Sequence, residues 1–177
     1  MKILLLCSSF NGLTQRVWVE LRRAGHTVAW QQAVDDDTVR LAVDALDPEL
    51  IICPFLRERV PDDVWRARPT VIIHPGPVGD RGPSSLDWAI AEAAPEWGVT
   101  ALSAADEMDA GPVWASRSFP LPDEPPRKSV LYAGPVTDAA VELVHEVVEK
   151  ASRPGFTPDP VDAADAPGRL RPGMTQM

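Results

Sequence analysis

The sequence predicts an α/β domain: a mostly parallel central sheet with helices on both faces. Two observations carry that prediction. Short apolar runs alternate along the chain with segments whose apolar residues recur every three to four positions, the pattern of successive βαβ units. The length, 177 residues with 45% apolar side chains, suits one full core and is short for two.

Residues 3–7 read as the first buried strand. Thr14 is the expected N-cap of a helix carrying Val17, Leu21 and Ala24, which Gly25 ends. Strand-like residues 27–30 and helical residues 37–46 follow. Residues 50–54 form the third strand, and Pro61 opens a short helix over 61–68. Residues 71–73 make the fourth strand. Ser84-x-x-Asp87 then has the form of a capping box before a helix carrying Leu86, Ile90 and Ala94. Strands are predicted over 99–103 and 116–121, and a helical region over 128–151 that Gly134-Pro135 should break. Residues 1–152 are expected to form the domain. Residues 153–177, rich in Pro, Asp and Ala, read as a connector or tail.

The totals exclude several function classes. A formal charge of −9 lacks the basic footprint that phosphate backbones require, so no nucleic-acid partner is expected. The apolar start is too short for a signal h-region, and no run approaches membrane-spanning length. A cytoplasmic protein without a membrane partner is expected. Cys7 and Cys53 have no ligand-spaced Cys or His nearby, so they read as packing residues and no metal is expected. The turn Ser8 to Thr14 has one glycine and no GxGxxG or Walker pattern, which disfavours a nucleotide domain.

Two charged knots carry the chemistry. His74 directly follows the fourth strand and leads into the Gly/Pro-rich stretch 75–85. Asp109 lies in the loop after the fifth strand, within Asp106-Glu107-Met108-Asp109-Ala110-Gly111. Parallel sheets bind ligands at the carboxyl ends of their strands, so the two side chains can meet if those strands are neighbours. A carboxylate facing an imidazole fixes its tautomer and equips it to shuttle a proton. Backbone amides around Gly76, Gly82 and Ser84 could hold developing negative charge. Plainer readings stand beside these: a hydrogen-bonded structural histidine, a turn-forming Asp109, and an Arg81 paired with Asp80 on a solvated loop. His26 and His145 read as structural or solvent-facing, and Arg57 and Arg59 as ordinary surface charges.

Taken together, Phe55 to Pro61, His74-Pro75-Gly76, Arg81-Gly82 before Trp88-Ala89-Ile90, and Gly98-Val99-Thr100 leading to Glu107–Gly111 resemble the 10-formyltetrahydrofolate-dependent formyltransferases, which have a Rossmann-like fold. Within that group, Ser9 to Val17, Gly79 to Ile90 and Glu107 to Pro112 resemble the amino-terminal domain of the HoxX-type [NiFe] hydrogenase maturation proteins. The resemblance implies removal of the formyl group from 10-formyltetrahydrofolate and its transfer toward coenzyme A, as the first step toward the carbon monoxide ligand. It implies His74 as acid/base and as hydrogen-bond donor to the formyl oxyanion, and Asp109 as the residue that orients His74 or the attacking group. Phe55, Leu56, Arg57, Asp106, Glu107, Met108 and Gly111 would hold the pterin, with Gly76, Arg81, Gly82 and Ser84 at the oxyanion or substrate. It also implies that a crotonase-like, coenzyme A-binding C-terminal domain is missing here. Amine formyltransferases carry Asn-x-His, and Ile72 stands at the asparagine position. Two other readings remain: a formyltransferase acting on a small amine, and a folate-binding module without catalysis.

Overall fold

Five of the six residues of β1 (Lys2–Cys7) are fully buried, as a strand covered on both faces must be. A computed structural model describes residues 1–124, 126–160 and 170–174. β1 pairs in parallel with β2 (Thr27–Gln32) and β3 (Leu50–Cys53), and β3 with β4 (Thr70–His74). β5 (Glu96–Ser103) and β6 (Val113–Pro120) complete the order β2-β1-β3-β4-β5-β6, both pairing antiparallel. The sheet is therefore mostly parallel, as the alternating pattern predicts, with an antiparallel edge that alternation does not encode. The cause is local. The helix α4 (Ser85–Ala91) spans only about 10 Å, and the chain re-enters the sheet from the end at which β4 left it.

The two-residue period of the strands divides the core between the faces. Ile3, Leu5, Ile52, Val71 and Ile73 face one layer, with α1 (Gly12–Arg23), α4 and α6 (Thr137–Ala151). Leu4, Leu6, Ile51 and Cys53 face the other, with α2 (Asp36–Leu46) and α3 (Asp62–Ala67). Lys128–Leu131 forms α5, and the chain kinks at Gly134 and Pro135 before α6, where the sequence predicts a break. No helix among the described residues is long and apolar enough to cross a membrane.

Two predicted caps are replaced. Asn11, not Thr14, caps α1: its Oδ1 accepts from the Thr14 N–H at 3.0 Å, and Thr14 is buried inside the helix. Ser84 makes no capping bond. Its backbone is left-handed (φ 67°), and its Oγ accepts instead from the Met174 N–H at 3.0 Å. Asp87, the expected partner in that box, holds Lys128 Nζ at 2.5 Å.

The segment expected to be a connector makes specific contacts. Phe156 packs on Trp114 with ring centroids 5.1 Å apart, and Asp159 extends the ladder of β6 through Val113. Farther on, the Arg171 N–H donates to the Arg81 carbonyl at 2.9 Å, and the Trp88 indole N–H donates to the Pro172 carbonyl at 3.0 Å. Residues 170–174 thereby lie along the His74–Ser84 loop and α4.

Both thiols are sealed at the carboxyl ends of their strands, Cys7 closing β1 and Cys53 closing β3, and neither is exposed. Burial pushes both thiols above the ordinary range.

Candidate functional site

His74 ends β4 as a side chain only 4% exposed. A buried imidazole needs partners for both nitrogens, and the following loop supplies the first. Asp80 Oδ2 lies 2.8 Å from His74 Nε2 and 2.7 Å from Ser85 Oγ. Ser85 Oγ lies at the same 2.7 Å from the Pro75 carbonyl, which also accepts from the Trp97 indole N–H, so the single Ser85 proton has two acceptors within reach. Burial pushes the Asp80 carboxyl up. The hydrogen bonds from His74 and Ser85 and the charge of Arg171 outweigh it and hold Asp80 below the usual carboxylate range. An anionic Asp80 only accepts, so Nε2 carries the proton of that contact, and Nδ1 is turned to the Asp109 side.

Gly76 makes this contact possible. A Cβ there would fall 2.3 Å from Asp80 Oδ2 and 2.5 Å from His74 Nε2.

Asp109 reaches the other nitrogen by a longer route. Because β5 runs antiparallel, Thr100 pairs with His74 and Ser103 with Val71, so the strand ends about 10 Å from the histidine along the sheet. The expected meeting at two adjacent carboxyl ends is therefore replaced by a loop, residues 104–112, that turns back. It is held in place by charge. Asp106 pairs with Arg66 at 2.7 Å, and Arg81 reaches Glu107 Oε2 and the Met108 carbonyl, each at 2.9 Å. At its base a Cβ on Gly111 would meet the Ser103 carbonyl oxygen at 1.9 Å, so only glycine fits. Asp109 adopts φ 50°, accepts from the Gly82 N–H at 3.0 Å, and sets Oδ2 3.4 Å from His74 Nδ1, outside hydrogen-bond alignment.

These groups border a cleft of about 1330 Å³ whose wall includes Phe55, Leu56, Arg57, His74, Gly82, Ser84, Asp106, Glu107, Met108 and Asp109. Gly76, Arg81 and Gly111 are not on that wall; they shape or brace it. Phe55 meets Tyr132 edge to face at 6.2 Å, and the Arg57 guanidinium lies 5.3 Å from the Phe55 ring. Ile72 lines the cleft on the same face of β4 as His74 and presents no hydrogen-bond donor. Among the described residues no group of three or more His, Cys, Asp or Glu side chains could hold a metal ion.

Two sequence readings change. Arg81 does not pair with Asp80 on a solvated loop: Asp80 is buried against His74, and Arg81 turns to Glu107. The residue that grips the imidazole is Asp80, which sequence reasoning passed over, together with Ser85. Asn11 and Tyr132 were also missed; the Asn11 amide donates to the Tyr132 hydroxyl at 3.2 Å on the cleft wall. A carboxylate six residues past a strand-end histidine, with glycine two residues past that histidine, was the available signal.

No protein-family model matches the chain. It is 47% identical over 171 residues to the hydrogenase maturation factor HoxX of Bradyrhizobium diazoefficiens, covering 97% of this chain and 30% of that protein. It is 30% identical over 151 residues to the methionyl-tRNA formyltransferase of a Roseiflexus species, covering 81% of this chain and 45% of that one. Among solved structures, HypX from Aquifex aeolicus in complex with tetrahydrofolic acid matches with a TM-score of 0.88 and 45% identity, over 92% of this chain and 28% of HypX. The chain thus spans less than half the length of each of these relatives.

Proposed function

We propose that this chain, a homologue of one segment of the HoxX and HypX proteins with the formyltransferase fold, removes the formyl group from 10-formyltetrahydrofolate and passes it to a nucleophile. The observation that carries the reading is the buried His74 between two carboxylates on the wall of the cleft. The HypX structure bearing tetrahydrofolic acid supports the donor class.

The residues suit the reaction. His74 Nδ1, on the Asp109 side of the ring, takes the proton of the nucleophile as that atom attacks the formyl carbon. The carbonyl π electrons move onto oxygen. When the tetrahedral intermediate collapses, the bond to folate N10 breaks and N10 takes the proton from the imidazolium, so donor and acceptor exchange one formyl group for one hydrogen. Asp109, close to Nδ1, stabilises the imidazolium while it exists. Phe55 and Tyr132, set edge to face, give the pterin an aromatic wall, and the loop of Asp106 to Gly111 closes the other side.

The acceptor we assign is a thiol such as that of coenzyme A. Ile72 supplies no donor to the oxyanion, and loss of one such donor costs roughly a hundred- to a thousandfold in rate. A thiol tolerates that loss better than an amine, because its thiolate is a strong nucleophile. With HoxX named as a hydrogenase maturation factor, the transfer fits the first step in making the carbon monoxide ligand, completed by a coenzyme A-binding domain elsewhere in the longer protein.

The test is loss of 10-formyltetrahydrofolate and appearance of tetrahydrofolate, with and without coenzyme A. His74→Ala should lower turnover by about 10² to 10⁴, and coenzyme A should stimulate the native protein. Folate binding without turnover under every condition would identify a binding module. No binding would end the formyl-folate reading.

A further inference from the structure

Asp80 has two carboxylate oxygens, and the site described so far uses one. Oδ2 serves His74 and Ser85. Oδ1 is buried without a hydrogen-bond partner among the described residues. Such an atom costs stability unless something offsets it. What faces it is Arg171: its Nε lies 3.2 Å from Oδ1, out of hydrogen-bond alignment. Arg171 is itself fixed by three contacts, two at its guanidinium and one at its backbone. Its Nη1 donates to Glu92 at 2.7 Å, its plane lies 5.4 Å from the Trp88 ring, and its backbone is bonded to Arg81. The segment carrying it is anchored again at Pro172 by Trp88 and at Met174 by Ser84. Gly82 admits it, since a Cβ there would strike the Arg171 carbonyl oxygen at 2.4 Å.

We propose that Arg171 is a positioning residue for the acid–base centre: set against the otherwise unpartnered Oδ1, it keeps the Asp80 carboxylate aimed at His74, so that seating of residues 170–174 on α4 sets the orientation of the imidazole. The inference rests on His74 being the proton carrier of the proposed reaction. It adds that the carrier is tuned by a segment outside the expected domain boundary, in a chain whose relatives continue well beyond this length. A rearrangement of that segment would reach His74 through one side chain. Other charges face Asp80 little: Arg81 is turned to Glu107, and Lys128 to Asp87.

The experiment uses the full chain and reads His74 directly. The protein has three histidines, so heteronuclear NMR resolves each pair of imidazole nitrogens. Arg171→Ala should move the His74 resonances and leave those of His26 and His145 in place. It should lower formyl-folate turnover about tenfold through kcat, with KM within about twofold, and added guanidinium should restore part of both. Trp88→Phe, which loosens the seat without touching the charge, should move His74 in the same direction by less. In an Asp80→Asn background Arg171→Ala should add nothing further. Unmoved His74 resonances, or an equal loss with and without Asp80, would overturn the proposal and leave Arg171 as surface adhesive. Failure of the formyl-transfer reading appears separately, as turnover indifferent to His74→Ala, while the NMR result stands by itself.

Discussion

Asp80 approaches His74 from the loop that β4 itself feeds, whereas Asp109 approaches from a loop rooted at the opposite end of the neighbouring strand. Asp80 is almost sealed, with its side chain 3% exposed at 2.8 Å from Nε2; Asp109 is 12% exposed at 3.4 Å from Nδ1 and borders the cleft. The tightly bonded carboxylate is walled in by Ser85, Gly76 and Arg171 and has little room to act on a ligand. The loosely placed one faces the space where a ligand would lie. In the proposed reaction the closer contact orients the histidine, and the more distant one is free to respond as charge develops.

The sharpest way to break that division is Gly76→Ala. The new methyl group would force Asp80 and His74 apart, so turnover should fall as far as in His74→Ala, and stability by about 2–3 kcal/mol. Chemical denaturation and the folate assay check both. Asp109→Asn comes next. The amide oxygen can still accept from the Gly82 N–H, so the unfolding free energy should stay within about 0.5 kcal/mol while turnover drops about a hundredfold. If stability falls and activity survives, Asp109 is the structural partner and the roles exchange. Asp80→Asn should be milder for rate, about tenfold, and cost about 1–2 kcal/mol of stability.

The smallest effect lies in the acid limb of stability. The folded pKa of Asp80 is held below its unfolded value. Its stabilisation is then complete above the unfolded carboxylate value of about 3.9. It is lost as pH falls through the lower folded value. Denaturation of the native protein and Asp80→Asn should therefore differ by a constant amount near neutrality, and the gap should narrow as the solution becomes acidic.

Much of the frame was legible because apolar periodicity reports burial directly. Residues 3–7, 50–53 and 71–73 are strands, and the Gly134-Pro135 break falls where proline chemistry requires. Strand direction was not legible, since a run such as Val99 to Ser103 reads the same in either sense. That is why the route of Asp109 to His74 was misjudged even though the pair was named. Asp80 was passed over because an acid next to an arginine in a Gly/Pro-rich loop has the composition of a solvated turn. Its burial depends on Gly76, Ser85 and Arg171 arriving from three directions. Caps failed for a related reason. Asn11 and Thr14 both offer capping chemistry, and only the backbone angles decide between them. Ser84 lost its role to Met174, a partner far along the chain.

The two cysteines acquire meaning from where they stop. Cys7 and Cys53 each sit one residue before a residue of the cleft wall, Ser8 and Pro54, near the place where an activated acyl carbon would be held. The reaction proposed above hands a one-carbon acyl unit to an external thiol, and it requires that the domain not acylate itself. With both sulfur atoms closed off and held protonated by burial, neither competes for the group. In that reaction the sheet would provide chemoselectivity by sealing these side chains, and thiol-directed reagents should leave the native fold unlabelled while modifying both positions once it is unfolded.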